Sequence, residues 1–213
     1  MSQTLNASTL LAVPMAPLVG AILAGVLGTQ FGGNWIGRRM SHSLTILGVL
    51  LSFVLSAMTL VSVAFDGARF NETLYTWMVV GGLKMEIGFL VDGLTAMMMC
   101  VVTFVSLMVH IYTIGYMHED EGYNRFFSYI SLFTFSMLML VMSNNMLQLF
   151  FGWEAVGLVS YLLIGFWLMA NTLWMTSDFF GWAITYWSIG FFSAGLLITP
   201  LFFYRLMQAF KKS

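Results

Sequence analysis

Residues 150–167 read FFGWEAVGLVSYLLIGFW, an apolar run that holds one carboxylate, Glu154. At about 1.5 Å of rise per residue such a run crosses most of a bilayer core of roughly 30 Å as a helix. A helix satisfies its own backbone in lipid, and an isolated strand does not. At about 100° per residue, Gly157, Tyr161 and Gly165 share the face of Glu154. Two glycines let another helix or water come close, and Tyr161 offers a hydrogen bond. An ionisable group inside a span is expensive and marks a functional position by default. Glu154 is therefore the first candidate, as a proton-relay carboxylate; the competing role is a helix-packing hydrogen bond.

The rest of the chain has the same character. Its 213 residues are 60% hydrophobic and only 8% charged, with a mean hydropathy of +0.89. Soluble domains carry about 25% charged residues, so lipid must cover most of this surface. A net charge of −1 offers no basic patch for nucleic acid. The one cysteine, Cys100, excludes an internal disulfide and a cysteine cluster. No glycine-rich phosphate loop follows a strand, and no nucleophile has a positioned base. The residues support no redox or metal cofactor.

The sequence predicts an all-α polytopic membrane protein with about six spans, over residues 10–27, 43–64, 90–116, 126–141, 145–166 and 179–204. Pro14 and Pro17 are expected in the early turns of the first, where a missing N–H costs least. No basic stretch precedes that span, so it is expected to stay as a helix and not to be cleaved as a signal. Between spans two and three, TLYTWMVV, Gly81-Gly82 and LKMEIGFLV read as a short β-hairpin at the membrane surface.

The third span carries a second stripe. Asp92 and His110 are eighteen residues apart, about five turns, and so share a face. Thr95, Met99, Thr103 and Ser106 lie on or near that line, giving an edge of hydroxyls that water-linked protons can follow. The alternative is local: Asp92 caps the helix and His110 reaches the interface. Asp178, in MTSDFFGW, reads as the N-cap of the last span and is the weakest relay candidate. His42 and His118 read as loop histidines without ligand spacing. By the positive-inside rule, Arg38 and Arg39 place the first loop in the cytoplasm, with the N-terminus and hairpin outside. The basic tail YRLMQAFKKS would then lie outside if six spans form, against the same rule.

Three stretches, FLVDGLTAMM, VHIYTIGYMHEDEGYNRFFSYISLF and above all GWEAVGLVSYLLIGFW, resemble the antiporter-like subunit L of proton-pumping NADH:quinone oxidoreductase, respiratory complex I. The resemblance covers residues 1–167; residues 168–213 form a divergent tail. It implies a membrane-arm subunit, or a fragment of one, in the bacterial inner membrane, with the other membrane-arm subunits as partners. It implies no cofactor in this chain; NADH, FMN, iron–sulfur clusters and quinone belong to partner subunits. Glu154 matches the glutamate of the family's GWE motif, which pairs with a lysine on a later helix, and Asp92 and His110 match family positions. No lysine stands between Lys84 and Lys211 here. The alternatives are a subunit of an Mrp-type cation/proton antiporter and a structural or assembly protein without transport of its own.

Overall fold

The computed structural model describes residues 5–29, 33, 35–80 and 83–179, excepting the side chains of Val80, Leu83 and residues 166–179. Helix α1 (Ala7–Ile22) runs into a π-helical turn (Leu23–Leu27), followed by α2 (Arg38–Asp66), β1 (Phe70–Val80), β2 (Leu83–Val91), α3 (Gly93–Tyr116), α4 (Tyr123–Val141) and α5 (Met146–Phe179). The first four helices, the π turn and residues 146–165 of α5 are long and apolar enough to cross a membrane. The predicted sixth span lies outside the described residues, apart from its first residue. The chain divides into two compact units, Met1–Leu163 and Ile164–Ser213. Of the second, only residues 164–179 are described, the last fourteen by their helical backbone alone.

Inside the first unit, polarity is turned inward. On α2 the buried residues are Ser41, Thr45, Val49, Ser52, Ser56 and Thr59, while Leu47, Leu51, Val54, Met58 and Val61 are exposed. Between membrane helices lipid gives no hydrophobic drive, so small hydroxyl residues that allow close backbones make the contact. This stripe faces the elements α2 packs on, α1, α3 and α4.

Helix α1 departs from the sequence reading. Asn6 caps it by accepting from the Ser8 N–H at 3.0 Å, so it begins at Ala7 and both prolines fall in its interior. Pro17 has no N–H to give the carbonyl of Val13 four residues back. Ser52 Oγ on α2 donates to that carbonyl instead, at 2.7 Å. Helix α4 supplies three further donors on one face: Ser131 Oγ to Pro17 O and Ser128 Oγ to Ala21 O, both at 2.8 Å, and Asn124 Nδ2 to Gly28 O at 2.6 Å. Gly25 permits this approach, since a Cβ there would stand 2.6 Å from Ser128 Oγ.

The hairpin forms as read, antiparallel from Phe70↔Val91 to Val80↔Leu83, with register shifts between Thr73 and Tyr75 and between Thr76 and Met78. Its base closes one end of the bundle: Phe70, Phe89 and Val91 are buried with Leu10, Val13, Met99, Leu138 and Met142. Its other side chains Tyr75, Trp77 and Val79 are exposed, as suits an interfacial aromatic surface. The loop between α4 and α5 fixes it: Leu90 N donates to Met142 O at 2.9 Å and Asn145 Nδ2 to Glu86 O at 3.0 Å.

Ser52→Ala should destabilise the fold by about 1–2 kcal/mol, because a carbonyl in lipid loses its donor. In the Pro17→Ala background, where an N–H is restored to Val13, the same change should cost less. Unfolding in detergent, read as a double-mutant cycle, checks the difference.

Candidate functional site

The stripe predicted on the third span is the buried face of α3: Thr95, Met99, Thr103, Ser106 and His110 all lie inside. Most of its hydroxyls turn back on their own helix. Thr103 Oγ1 donates to Met99 O at 2.7 Å, and Thr113 Oγ1 to Val109 O at 2.7 Å. Ser106 differs, since its hydroxyl is hydrogen-bonded to Thr134 on α4 and lies 3.4 Å from His110 Nδ1.

His110 has no exposed surface. Its Nδ1 stands 2.8 Å from Ser106 O, a carbonyl that only accepts, so the ring proton sits on Nδ1. Nε2 is then a bare acceptor, buried and without a partner among the described residues. The imidazole does not reach the interface as the local alternative required; it lies about 9 Å inside the end of α3, six residues before Tyr116.

Asp92 takes the local role. Its Oδ1 accepts from the Thr95 N–H at 2.8 Å, capping α3. That N–H holds the carboxyl below the ordinary carboxylate range, against a smaller opposing push from burial. Asp92 caps the start of α3 and His110 lies eighteen residues further along it, some 27 Å away at about 1.5 Å per residue, so any link between them must be indirect.

Glu154 lies on α5 with its side chain exposed. The helix instead buries Gln148, Gly152 and Val159. At Gly152 a Cβ would come within 2.9 Å of the Leu140 backbone on α4. On the opposite face, among the described residues, nothing lies within 4 Å of a Cβ built at Gly157, and Tyr161 is exposed. Among the described residues of the first unit, Glu154, Gly157 and Tyr161 are all exposed on that face. Asp178 does not begin a new helix: α5 runs through it to Phe179, the last described residue.

Sequence reasoning missed one pair. Tyr123 OH and His42 Nδ1 are hydrogen-bonded at 2.9 Å, although 81 residues separate them. His42 belongs to the first turns of α2, not to a loop. Arg38 lies over the Tyr123 ring at 5.7 Å and donates from Nη1 to His118 O at 2.6 Å. Among the described residues no three His, Cys, Asp or Glu side chains group as metal ligands.

Residues 77–127 match the family model of the N-terminus of NADH-ubiquinone oxidoreductase (complex I) chain 5. The chain is 64% identical over 159 residues to NADH-quinone oxidoreductase subunit L of Neisseria meningitidis serogroup B, covering 73% of this chain and 23% of that protein. It is 44% identical over 158 residues to NADH-ubiquinone oxidoreductase chain 5 of Dictyostelium discoideum, with the same coverage. With the chloroplastic NAD(P)H-quinone oxidoreductase subunit 5 of Mesostigma viride it shares 45% over 156 residues, 73% of this chain and 24% of that one. The chain thus spans about a quarter of the length of the curated relatives it matches.

Replacing Asp92 with Ala should cost about 1 kcal/mol of stability, and Asn should retain most of the cap. Because the folded carboxyl is held low, the advantage over Ala is complete above the ordinary carboxylate range. It fades as pH falls through the depressed folded value. Unfolding of the three proteins in detergent between neutral and acid pH measures it.

Proposed function

We propose that this chain, which over 73% of its length is akin to complex I subunit L, acts as part of a proton-translocating NADH:quinone oxidoreductase. It is a membrane-arm subunit or a piece of one, held in the bacterial inner membrane among the other membrane-arm subunits, and it contributes part of a proton pathway. Redox chemistry, with NADH, FMN, iron–sulfur clusters and quinone, belongs to the partner subunits. The arginine-bearing end of the bundle faces the cytoplasm, and the N-terminus and hairpin face outward.

The observation that carries the reading is Glu154 on an open face. A carboxylate within a membrane-length helix is expensive unless a partner meets it. Here the glycines on its face leave room for that partner, a cation-bearing helix. Glu154 is the relay group proposed for the open side, and His110 the one for the interior. Asp92 acts as a cap, and Asp178 contributes least.

Glu154→Gln separates relay from packing. In membranes carrying the complex, the amide should keep assembly and lose most of the NADH-driven proton movement. Retained proton movement with Gln would assign Glu154 to packing and overturn the reading.

A further inference from the structure

The proposed pathway leaves open how water or protons reach His110, and the structure suggests one route. The same end of the bundle holds the start of α2, the end of α3 and the start of α4, tied by Arg38 Nη1 to His118 O. Just inside it sits the Tyr123–His42 hydrogen bond. At this end, in the first turns of α2 and α4, Ser41 Oγ and Asn124 Oδ1 are also buried without a partner among the described residues. One turn further along α4 comes Phe127, which is fully buried. Its ring meets His42 on one contact, centroids 6.0 Å apart, and His110 on another, at 5.9 Å. Tyr123 packs on the same ring at 4.7 Å.

We propose that water enters from the arginine end along Tyr123 and His42 and donates to Nε2 of His110, with the Phe127 ring as the gate between the two imidazoles. Three features of the site support this. A bare Nε2 in a dry interior is a missing hydrogen bond of about 1–3 kcal/mol, and only a donor relieves it. Unpartnered polar atoms near the arginine end mark where ordered water has partners to hold it. Both histidines share one aromatic ring, which turns about its side-chain bonds more readily than a backbone moves.

Beyond His110 lies Ser106, whose hydroxyl stands 3.4 Å from Nδ1 and is hydrogen-bonded to Thr134. Ser106 stands ten residues from the end of α3, about 15 Å deep and near the middle of a 30 Å core. The functional meaning rests on the proton-path reading above, but the hydration of His110 does not.

The test uses the full chain in lipid bilayers, with histidine labelled by nitrogen-15 and examined by solid-state NMR. Three histidines are present, and His42→Gln and His118→Gln assign the His110 signals. The proposal predicts a protonated Nδ1, a bare Nε2 and magnetisation transfer from water to His110. In Phe127→Ala that transfer should speed by about tenfold, the factor that about 1.4 kcal/mol off a barrier gives. Phe104→Ala, at a lipid-facing position, should leave it unchanged. Phe127→Leu is the conservative variant should Ala unfold the bundle, and it too should speed transfer. Protonated Nε2, no contact with water in the wild type, or equal transfer in the Phe127 and Phe104 variants would overturn the proposal. Proton flux in reconstituted vesicles separates the two readings: a hydrated His110 without flux contradicts the proton path alone, and flux past a dry His110 contradicts this route alone.

Discussion

A carbonyl or hydroxyl inside hydrocarbon has no water to turn to, and every polar group in a membrane bundle must find its partner within the protein. Most of this structure follows from that constraint. Pro17 frees the carbonyl of Val13, and Ser52 meets it from α2. Along α4, Ser131, Ser128 and Asn124 donate in turn to Pro17, Ala21 and Gly28. These bonds bind α1 between α2 and α4 and let it tolerate two interior prolines and a π turn. They also explain why hydroxyl stripes face inward and leucines face lipid.

Several groups stand outside this closed system, and two of them bear on function. His110 has a buried nitrogen without a donor, and Glu154 holds a carboxylate on an open helix face. One lacks a partner on the inside and the other on the outside. In the proposed reading, water meets the first and a cation-bearing helix the second. Both positions are the ones the proposed proton path uses.

Much of this was legible in the sequence. Spacing alone put Thr95, Met99, Thr103, Ser106 and His110 on one face, because the helical period is fixed whatever packs against it. The hairpin was legible from a Gly-Gly pair between β-prone runs. What escaped was whatever depends on distant partners. Nothing local announces that Tyr123 will meet His42, or that Ser52 will answer a proline on another helix. The start of α1 was missed for a nearer reason, since Asn6 followed by Ser8 is a capping pattern hidden under the apolar run. Asp178 was assigned to a new helix because an acid before aromatic residues resembles an N-cap, yet the backbone of α5 continues through it. Which way Glu154 points was not legible at all: a helix of uniform apolarity carries no stripe to orient it.

The central claim is that α1–α4 form the closed scaffold and that the Glu154 face of α5 is the open one. Spin labels placed singly at positions 154, 157, 159 and 161 of the full chain in lipid bilayers test this through their mobility and oxygen accessibility. The account predicts mobile, oxygen-accessible labels at 154, 157 and 161 and an immobilised, shielded one at 159. Immobilised labels at 154 and 157 beside a free one at 159 would contradict it.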